Sequence, residues 1–431
     1  MDTKVQQVMG KGFVGQTLLL MSGQGFAKGL SFISFLLIAR ALGPDLYGAF
    51  TFAFVFGSLL AFVPNMGVDP YYAREVCARR AEPRSLMGVA LILKIVGSVV
   101  FLLIYDGGVF CTTRNASAWE ASKFIGPGLT LLSLSLIGKT VLVTSSRAGV
   151  AGLLDAVQSG MFLLLAVLVV RIFPSISWAA GAFLIAQLAG VVLGAATVWR
   201  IVGVPQFPRD PLVYVNTVRK TVPLALLWFL SDIYLRIGST MLFYLRGDLE
   251  TGLYGASYRL VEGVYSATLV VCSTSLPRFS QAWSYNVSAW MKEWWRGLFF
   301  VLSLILLPAI LFTAVPQAII TLLYGQSFAK AASSLRFLGP ATFVLCMGSI
   351  FGIALTSIGE ERNQLKITFI ALLSNVFLNF LLIPVYGGIG AALATLISGM
   401  VYLLLGQISL SRTIKDTQKE DESEPIDSRR R

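Results

Sequence analysis

Hydrophobic residues recur along this chain in long runs, and short polar segments separate the runs. Stretches such as VGSVVFLLIY and MFLLLAVLVVRIF lie in blocks of roughly 20 residues, the length at which an α-helix crosses the ~30 Å hydrocarbon core of a bilayer. The blocks lack the alternation of apolar and polar positions that is typical of β-barrel strands. The pattern therefore predicts an all-α integral membrane protein.

Twelve such blocks can be separated along the sequence, and each predicts one transmembrane helix. They cover residues 13–39, 46–70, 85–105, 124–146, 150–170, 178–199, 221–245, 252–275, 297–316, 337–358, 367–383 and 388–411. The first residues, MDTKVQQVMGKG, do not follow the pattern of a cleaved signal peptide, so the first block is expected to remain a membrane span. Because twelve is an even number, both termini should lie on the same side.

The basic residues indicate which side this is. Of the 34 Lys and Arg residues, 22 fall in segments that are cytoplasmic if the N-terminus is cytoplasmic, and 7 fall in outer segments. This bias follows the positive-inside rule and predicts cytoplasmic termini in the cytoplasmic (inner) membrane. It also accounts for most of the net charge of +12, so no nucleic-acid partner is expected.

The residue types that carry most metal and cofactor chemistry are scarce. The chain has no histidine, and its four cysteines are scattered without CxxC spacing, so no metal site is predicted. No GxxxxGK[ST] motif is present, which disfavours direct use of ATP. We therefore predict no catalytic residue and no cofactor, apart from a proton or Na⁺ as a coupling ion.

A short repeat divides the chain into two halves. The tetrapeptide LYGA occurs at 46–49 and again at 253–256. When the sequence is aligned with itself at this offset, the first predicted span matches the seventh. Two six-helix lobes of the same orientation are an arrangement found in transporters. The predicted organisation is an N-lobe at 1–203, a cytoplasmic linker at 204–220, a C-lobe at 221–411 and a disordered cytoplasmic tail at 412–431.

Several longer segments resemble a known family. LIARALGPDLYGAFTFA, GLYGASYRLVEGV and SNVFLNFLLIPVYGGIGAALATLIS are similar to segments of the Wzx-type polysaccharide flippases of the MOP superfamily, which also contains the MATE drug exporters and the peptidoglycan-precursor flippases. The resemblance implies a V-shaped fold of twelve helices. It also implies translocation of a polyprenyl-pyrophosphate-linked glycan for surface polysaccharides such as O-antigen or exopolysaccharide, in a bilayer and beside a polysaccharide polymerase or chain-length machinery.

Charged residues inside the predicted spans are the candidate functional residues, because a charge at the centre of a bilayer normally faces water or a partner. Five basic residues lie in the spans and three acids lie well inside them: Lys28, Lys94, Lys139, Arg236, Arg259, Asp155, Asp232 and Glu262. Asp232 with Arg236, and Arg259 with Glu262, are spaced to form pairs within one helix. The three lysines have no such neighbour on their own helices.

Unpaired lysines would make the interior of the protein cationic, which suits an anionic pyrophosphate and repels a cationic drug. Lys28 and Arg259 are the preferred candidates for phosphate contact, with Lys94, Lys139 and Arg236 as further candidates. Asp232 and Glu262 are the candidates for ion coupling. Alternatively, each lysine pairs with a carboxylate or a carbonyl on a neighbouring helix and only holds helices together.

Two further pairs have helical spacing. Asn375 and Asn379 share one face of the eleventh predicted span, where they could coordinate a sugar hydroxyl, an ion or another helix; interhelical hydrogen bonding is the favoured interpretation. Gly25 and Gly29 form a small-xxx-small pair in the first span, which predicts close helix packing or bending of the helix, with packing favoured.

Two other functions remain open from the sequence. One is a MATE-like antiporter of cations or drugs. The other is a membrane glycosyltransferase or polymerase, which would need catalytic acids in its outer loops. The predicted outer loops are short and contain few acids, and the repeat favours a transporter.

Overall fold

The computed structural model describes residues 3–113 and 115–423. All regular secondary structure within these residues is helical. The helices are α1 (Thr3–Leu60), α2 (Phe62–Asn65), α3 (Val68–Cys77), α4 (Pro83–Thr112), α5 (Ala116–Thr144), α6 (Ala148–Ile172), α7 (Ile176–Ile201), α8 (Pro211–Arg246), α9 (Asp248–Trp283), α10 (Val287–Ala314), α11 (Pro316–Tyr324), α12 (Ala331–Ser357), α13 (Glu361–Tyr386) and α14 (Gly388–Ser423). A short 3-10 turn, Gln326–Phe328, separates α11 from α12.

Ten helical segments of the described residues are long and apolar enough to cross a membrane, which confirms the prediction of an all-α, multi-pass membrane protein. The first of them, Leu19–Cys77, is 59 residues long and covers most of the first predicted span and all of the second. Gly43 interrupts it with a left-handed φ of 71°, a conformation that glycine adopts without strain, and Pro44 follows. The helix α8 contains the seventh predicted span but is not one of the ten. The total of twelve and the orientation remain predictions.

The chain forms two compact units, Met1–Gly252 and Leu253–Arg431. The first unit includes α8, which the repeat assigns to the C-lobe. Aromatic contacts hold α8 in this unit: the Phe243 ring stacks on Phe52 with centroids 3.6 Å apart, and the rings of Phe229 and Phe62 lie 4.0 Å apart. The lobes at 1–203 and 221–411 and the linker at 204–220 thus remain predictions from the repeat.

Each unit has its own buried core. In the first unit, side chains of α3, α4, α5 and α6 pack around Tyr72 and Val141, which are fully buried. In the second unit, the indole rings of Trp290 and Trp294 stack with centroids 5.7 Å apart and lie in a core with side chains of α9 and α12. The Trp290 indole N–H also donates to the Ser357 hydroxyl at 3.0 Å.

The helices α1 and α6 cross in close contact at Gly23 and Gly152, two glycines that the sequence analysis did not select. A Cβ added at Gly23 would lie 2.7 Å from the carbonyl carbon of Gly152, so only a hydrogen fits there. At Gly25 and Gly29, an added Cβ would meet no atom of the described residues within 4 Å. The prediction that Gly25 and Gly29 allow close packing is therefore wrong for this structure, because the helices cross nearer to Gly23.

The last helix extends into the segment that was predicted to be a disordered tail. The helix α14 continues to Ser423, through most of the segment 412–431 that was expected to be disordered. Residues 412–423 include many good helix formers and contain neither glycine nor proline. Pro425, beyond the end of this helix, disfavours helical geometry in the residue before it. Residues 424–431 lie outside the described part of the chain.

Candidate functional site

The second predicted span of the first unit is broken near its end. The helix α2 ends at Asn65, Met66 adopts a left-handed φ of 47°, Gly67 has a φ of 65°, and α3 starts at Val68. Such a break leaves backbone groups without helical partners, which is tolerated at membrane depth only where protein or water surrounds it. Polar side chains are therefore expected around this break.

Lys94 of α4 supplies the central polar group at the break. Its side chain is fully buried, and its ammonium donates to Asp69 Oδ2 at 2.8 Å and to Asn65 Oδ1 at 3.3 Å. It also donates to the carbonyl oxygen of Ser133 at 2.9 Å and to Ser133 Oγ at 3.2 Å. A buried charge persists only when it is paired and hydrogen-bonded, and Lys94 meets both conditions.

This enclosure fits the alternative interpretation of Lys94, in which the lysine holds helices together. The ammonium joins the two sides of the α2–α3 break to α4 and α5, since Asn65 and Asp69 flank the break and Ser133 lies in α5. The Ser133 hydroxyl completes the cluster by donating to Asn65 Oδ1 at 2.8 Å. With four oxygen contacts and no exposed surface, Lys94 is placed to stabilise this arrangement.

A second cluster lies where α5, α6 and α7 meet. The Lys139 ammonium is 2.5 Å from Asp155 Oδ1 and donates to Gln158 Oε1 at 2.8 Å. The Gln158 amide in turn donates to Gln187 Oε1 of α7. Lys139 is thus also paired with a residue of a neighbouring helix, and its side chain is 12% exposed.

Lys28 of α1 belongs to the same cluster through its charge. It interacts electrostatically with Asp155, the carboxylate that Lys139 contacts directly. The nearby hydroxyl of Ser31 donates to Ser159 Oγ at 3.1 Å, which joins α1 to α6. The Lys28 side chain is exposed. Asp155 thus pairs with Lys139 and lies within the electrostatic influence of Lys28, so these three residues carry two basic groups and one carboxylate.

Arg259 and Glu262 of α9 form the pair that their spacing predicted. Arg259 Nη1 donates to Glu262 Oε2 at 3.0 Å, and the two side chains are 16% and 27% exposed. Asp232 and Arg236 lie one turn apart on α8 in the first unit, and both are partly buried.

Asn375 and Asn379 are buried on α13. Asn375 Nδ2 donates to the hydroxyl of Ser398 on α14 at 3.0 Å, and Asn379 Nδ2 donates to Asn375 Oδ1 at 2.8 Å. The favoured interpretation, a hydrogen bond between helices, describes Asn375 in this structure. Within the described residues, no group of histidine, cysteine or carboxylate side chains is arranged to hold a metal ion.

Sequence reasoning missed Asp69, Asn65 and Ser133. Asp69 fell at the edge of the predicted span 46–70 and was not counted as a membrane carboxylate. The signal that could have found the cluster is the segment Pro64-Asn65-Met66-Gly67, whose residues favour turns yet stand inside an apolar block. Such a segment in a span predicts a helix break and polar partners for it.

Comparison with known proteins shows that the chain is similar to proteins of polysaccharide biosynthesis. The model of the family described as polysaccharide biosynthesis protein matches residues 13–283, more than half of the chain. Agl15 of Haloferax volcanii, described as a probable low-salt glycan biosynthesis flippase, is 23% identical over 401 residues, which cover 88% of this chain and 79% of that protein.

Solved structures share the fold over nearly the whole chain. The lipid II flippase MurJ in an inward closed conformation is similar with a TM-score of 0.78 and 15% identity, over 91% of this chain and 87% of that one. An inward-facing MATE-family multidrug transporter of the MOP superfamily is similar with a TM-score of 0.74 and 18% identity, over 90% and 96% of the two chains. These similarities confirm the expected MOP fold. The three named proteins are transporters or flippases, in agreement with the expectation of a transporter instead of an enzyme.

Proposed function

The chain belongs to the polysaccharide biosynthesis protein family, and we propose that it is a flippase for polyprenyl-pyrophosphate-linked oligosaccharides. Its cargo would be the repeat unit of a surface polysaccharide such as O-antigen or exopolysaccharide, moved across the cytoplasmic membrane. Agl15 and MurJ, both described as flippases, support a glycan carried on a lipid. The resemblance of the sequence motifs to Wzx-type flippases supports the same class of cargo.

The observation that carries this proposal is the charge of the cluster in the first unit. Asp155 forms an ion pair with Lys139 and interacts with Lys28 only through its electrostatic field, so this group of three residues has one basic group more than it has carboxylates. A positive charge at membrane depth attracts an anionic group and disfavours a cation. This balance supports a pyrophosphate cargo over the cationic cargo of a drug antiporter.

The charged residues would divide into two roles. Lys28 in the first unit and Arg259 in the second are exposed enough to contact phosphate oxygens, and Arg236 is a further candidate. Lys139, which contacts Asp155, would contribute to the positive electrostatic potential around this cluster. Lys94, which is enclosed on all sides, would hold the broken second span in place and would act on the cargo only through that position.

We further propose that transport occurs by alternating access and that an ion gradient drives it. Asp232 and Glu262 are the candidate groups for binding a proton or Na⁺. Each lies near an arginine, whose charge changes the free energy of proton or Na⁺ binding to the carboxylate. A polysaccharide polymerase or chain-length machinery would take up the delivered repeat unit on the outer side.

Reconstitution tests this function directly. Liposomes containing the full chain and a fluorescent polyprenyl-pyrophosphate oligosaccharide would be treated with a membrane-impermeant quencher, with and without proton or Na⁺ gradients. We expect the labelled lipid to exchange between leaflets faster than in protein-free liposomes. If no gradient produces exchange above that background, the proposed function is wrong. A parallel assay with a cationic dye separates the flippase from a drug antiporter.

A further inference from the structure

A polar cavity lies in the second unit where α9 ends and α10 begins. The cavity is open to its surroundings, and its volume is about 530 Å³. Six side chains with polar groups line it: Arg278, Gln281, Tyr285, Lys292, Glu293 and Arg296. None of them belongs to the charged clusters described above, and the transport proposal does not use the cavity.

The helical register explains why these residues meet. Arg278 and Gln281 are three residues apart and share one face of the last turns of α9, and Tyr285 follows in the turn between α9 and α10. Lys292 and Arg296 are four residues apart on α10, with Glu293 beside them. The opposite faces carry Phe279, Trp290 and Trp294, which are buried together in the core of the unit. This aromatic packing holds the two polar faces in a fixed relation.

The turn between the helices is also fixed locally. Asn286 caps α10, because its Oδ1 accepts a hydrogen bond from the backbone N–H of Ala289 at 2.7 Å. The cap closes the first turn of α10, and Ala289 lies at the edge of the cavity. The cavity is therefore bounded by rigid helix ends.

The charge of the cavity is positive. Glu293 is its single carboxylate, and the Arg296 guanidinium contacts this carboxylate at 2.5 Å. Arg278 and Lys292 are exposed, and neither makes an ion pair or side-chain hydrogen bond within the described residues. Two cationic groups therefore remain available to an anion in one small space.

The surroundings place this cavity at the level of lipid headgroups. Both α9 and α10 contain segments long and apolar enough to cross a membrane, and the cavity lies at their connected ends. Tyr285 and Trp295 beside it are 73% and 60% exposed, and exposed aromatic side chains of this kind are enriched at membrane interfaces. The distribution of basic residues predicts that this end is cytoplasmic, where anionic lipids attract Lys and Arg.

We propose that this cavity binds the phosphate group of a membrane lipid. Arg278 and Lys292 would donate charge-assisted hydrogen bonds to the phosphate oxygens, while Tyr285 and Gln281 would contact the polar part of the headgroup. The lipid could be an anionic phospholipid or a polyprenyl pyrophosphate, which share this chemistry. Binding here goes beyond the proposed transport, because it requires no movement of the bound lipid.

Native mass spectrometry of the purified full chain tests this site. The protein would be titrated with phosphatidylglycerol, with polyprenyl pyrophosphate and with zwitterionic phosphatidylcholine. The variant R278Q/K292Q is expected to bind an anionic lipid about thirtyfold more weakly, since each basic residue near a lipid surface contributes on the order of a fivefold factor. The matched control is R362Q/K366Q, which removes two exposed charges from the predicted cytoplasmic end of α13 in the same unit.

A second variant keeps the test informative if R278Q/K292Q folds poorly. E293Q removes the only carboxylate of the cavity and is expected to bind the same lipid more tightly, which an unfolded protein would not do. Weaker binding of phosphatidylglycerol alone, or of polyprenyl pyrophosphate alone, supports the site and identifies its lipid. Equal affinities in R278Q/K292Q and R362Q/K366Q for both anionic lipids would overturn the proposal, as would equally tight binding of phosphatidylcholine.

Discussion

The buried Lys94 ammonium and the partly buried Asp69 carboxylate form an ion pair at 2.8 Å beside a break in a membrane helix. The lysine lies on α4 and the aspartate on α3, just beyond the left-handed residues Met66 and Gly67. Breaking a buried pair by removing one partner typically costs about 3–5 kcal/mol, because the other charge is left without compensation. The stability of the first unit should therefore depend on this contact.

Replacing Lys94 with methionine should lower the free energy of unfolding by about 3–5 kcal/mol. Methionine retains most of the length of the side chain and leaves Asp69 unpaired. The double variant K94M/D69L should recover a large part of this loss, because no charge remains buried. Thermal unfolding in detergent measures both variants, with K366M at an exposed lysine as the control. A K94M protein as stable as K366M would contradict the role assigned to Lys94.

The crossing of α1 and α6 at Gly23 predicts a difference between two neighbouring glycines. G23A would force a methyl group to within 2.7 Å of the Gly152 backbone and should destabilise the protein by about 1–3 kcal/mol. G25A meets open space and should be neutral or stabilising by up to about 1 kcal/mol. Thermal unfolding of the two variants in parallel measures the difference. Equal unfolding temperatures would mean that the helices do not cross at Gly23.

The hydrogen bond between Asn375 and Ser398 predicts a measurable coupling. In a double-mutant cycle of N375A, S398A and N375A/S398A, we expect a coupling energy of about 0.5–1.5 kcal/mol, as for hydrogen bonds between membrane helices. Unfolding in denaturant supplies the free energies. A coupling of zero, together with a loss of glycan binding in N375A, would indicate that Asn375 serves the cargo instead of the helix contact.

Measurements of transport in the presence of an ion gradient can distinguish the roles of the two candidate coupling carboxylates, Glu262 and Asp232. If Glu262 binds the coupling ion, E262Q should reduce gradient-driven transport by about tenfold, within the usual 5–150-fold range of coupling between sites. It should leave lipid binding intact, because a neutral glutamine removes a negative charge that would repel an anionic cargo. D232N tests the other candidate in the same assay. Unchanged gradient dependence in both variants would rule out both assignments.

The membrane fold was predictable because the bilayer sets the length of each apolar run. Runs of roughly 20 residues need no knowledge of partners to be recognised, and their charge asymmetry gives a predicted orientation. The pairing of lysines was not predictable in this way. Asp69 lies 25 residues and Ser133 39 residues from Lys94, so only the packing of separate helices brings them together.

Local sequence did contain information about the irregular parts. Gly43 and Pro44 mark the turn inside α1, and Pro64 to Gly67 mark the broken second span. Pair spacing on one helix, as for Arg259 and Glu262, also gave the correct contact. The glycine crossing differs, because Gly23 and Gly25 have similar local sequences and only the position of α6 distinguishes them.

Transport by Lys28 variants tests the central claim, that an uncompensated positive charge in the first unit selects an anionic lipid-linked glycan. In reconstituted liposomes, K28Q should slow the exchange of a polyprenyl-pyrophosphate oligosaccharide by about tenfold or more, the value of a charge-assisted hydrogen bond. K28R should retain most of the rate, and K123Q, at another exposed lysine of this unit, should be unchanged. A K28Q protein that exchanges the glycan lipid at the normal rate, or that begins to export a cationic dye as its main activity, would contradict the account.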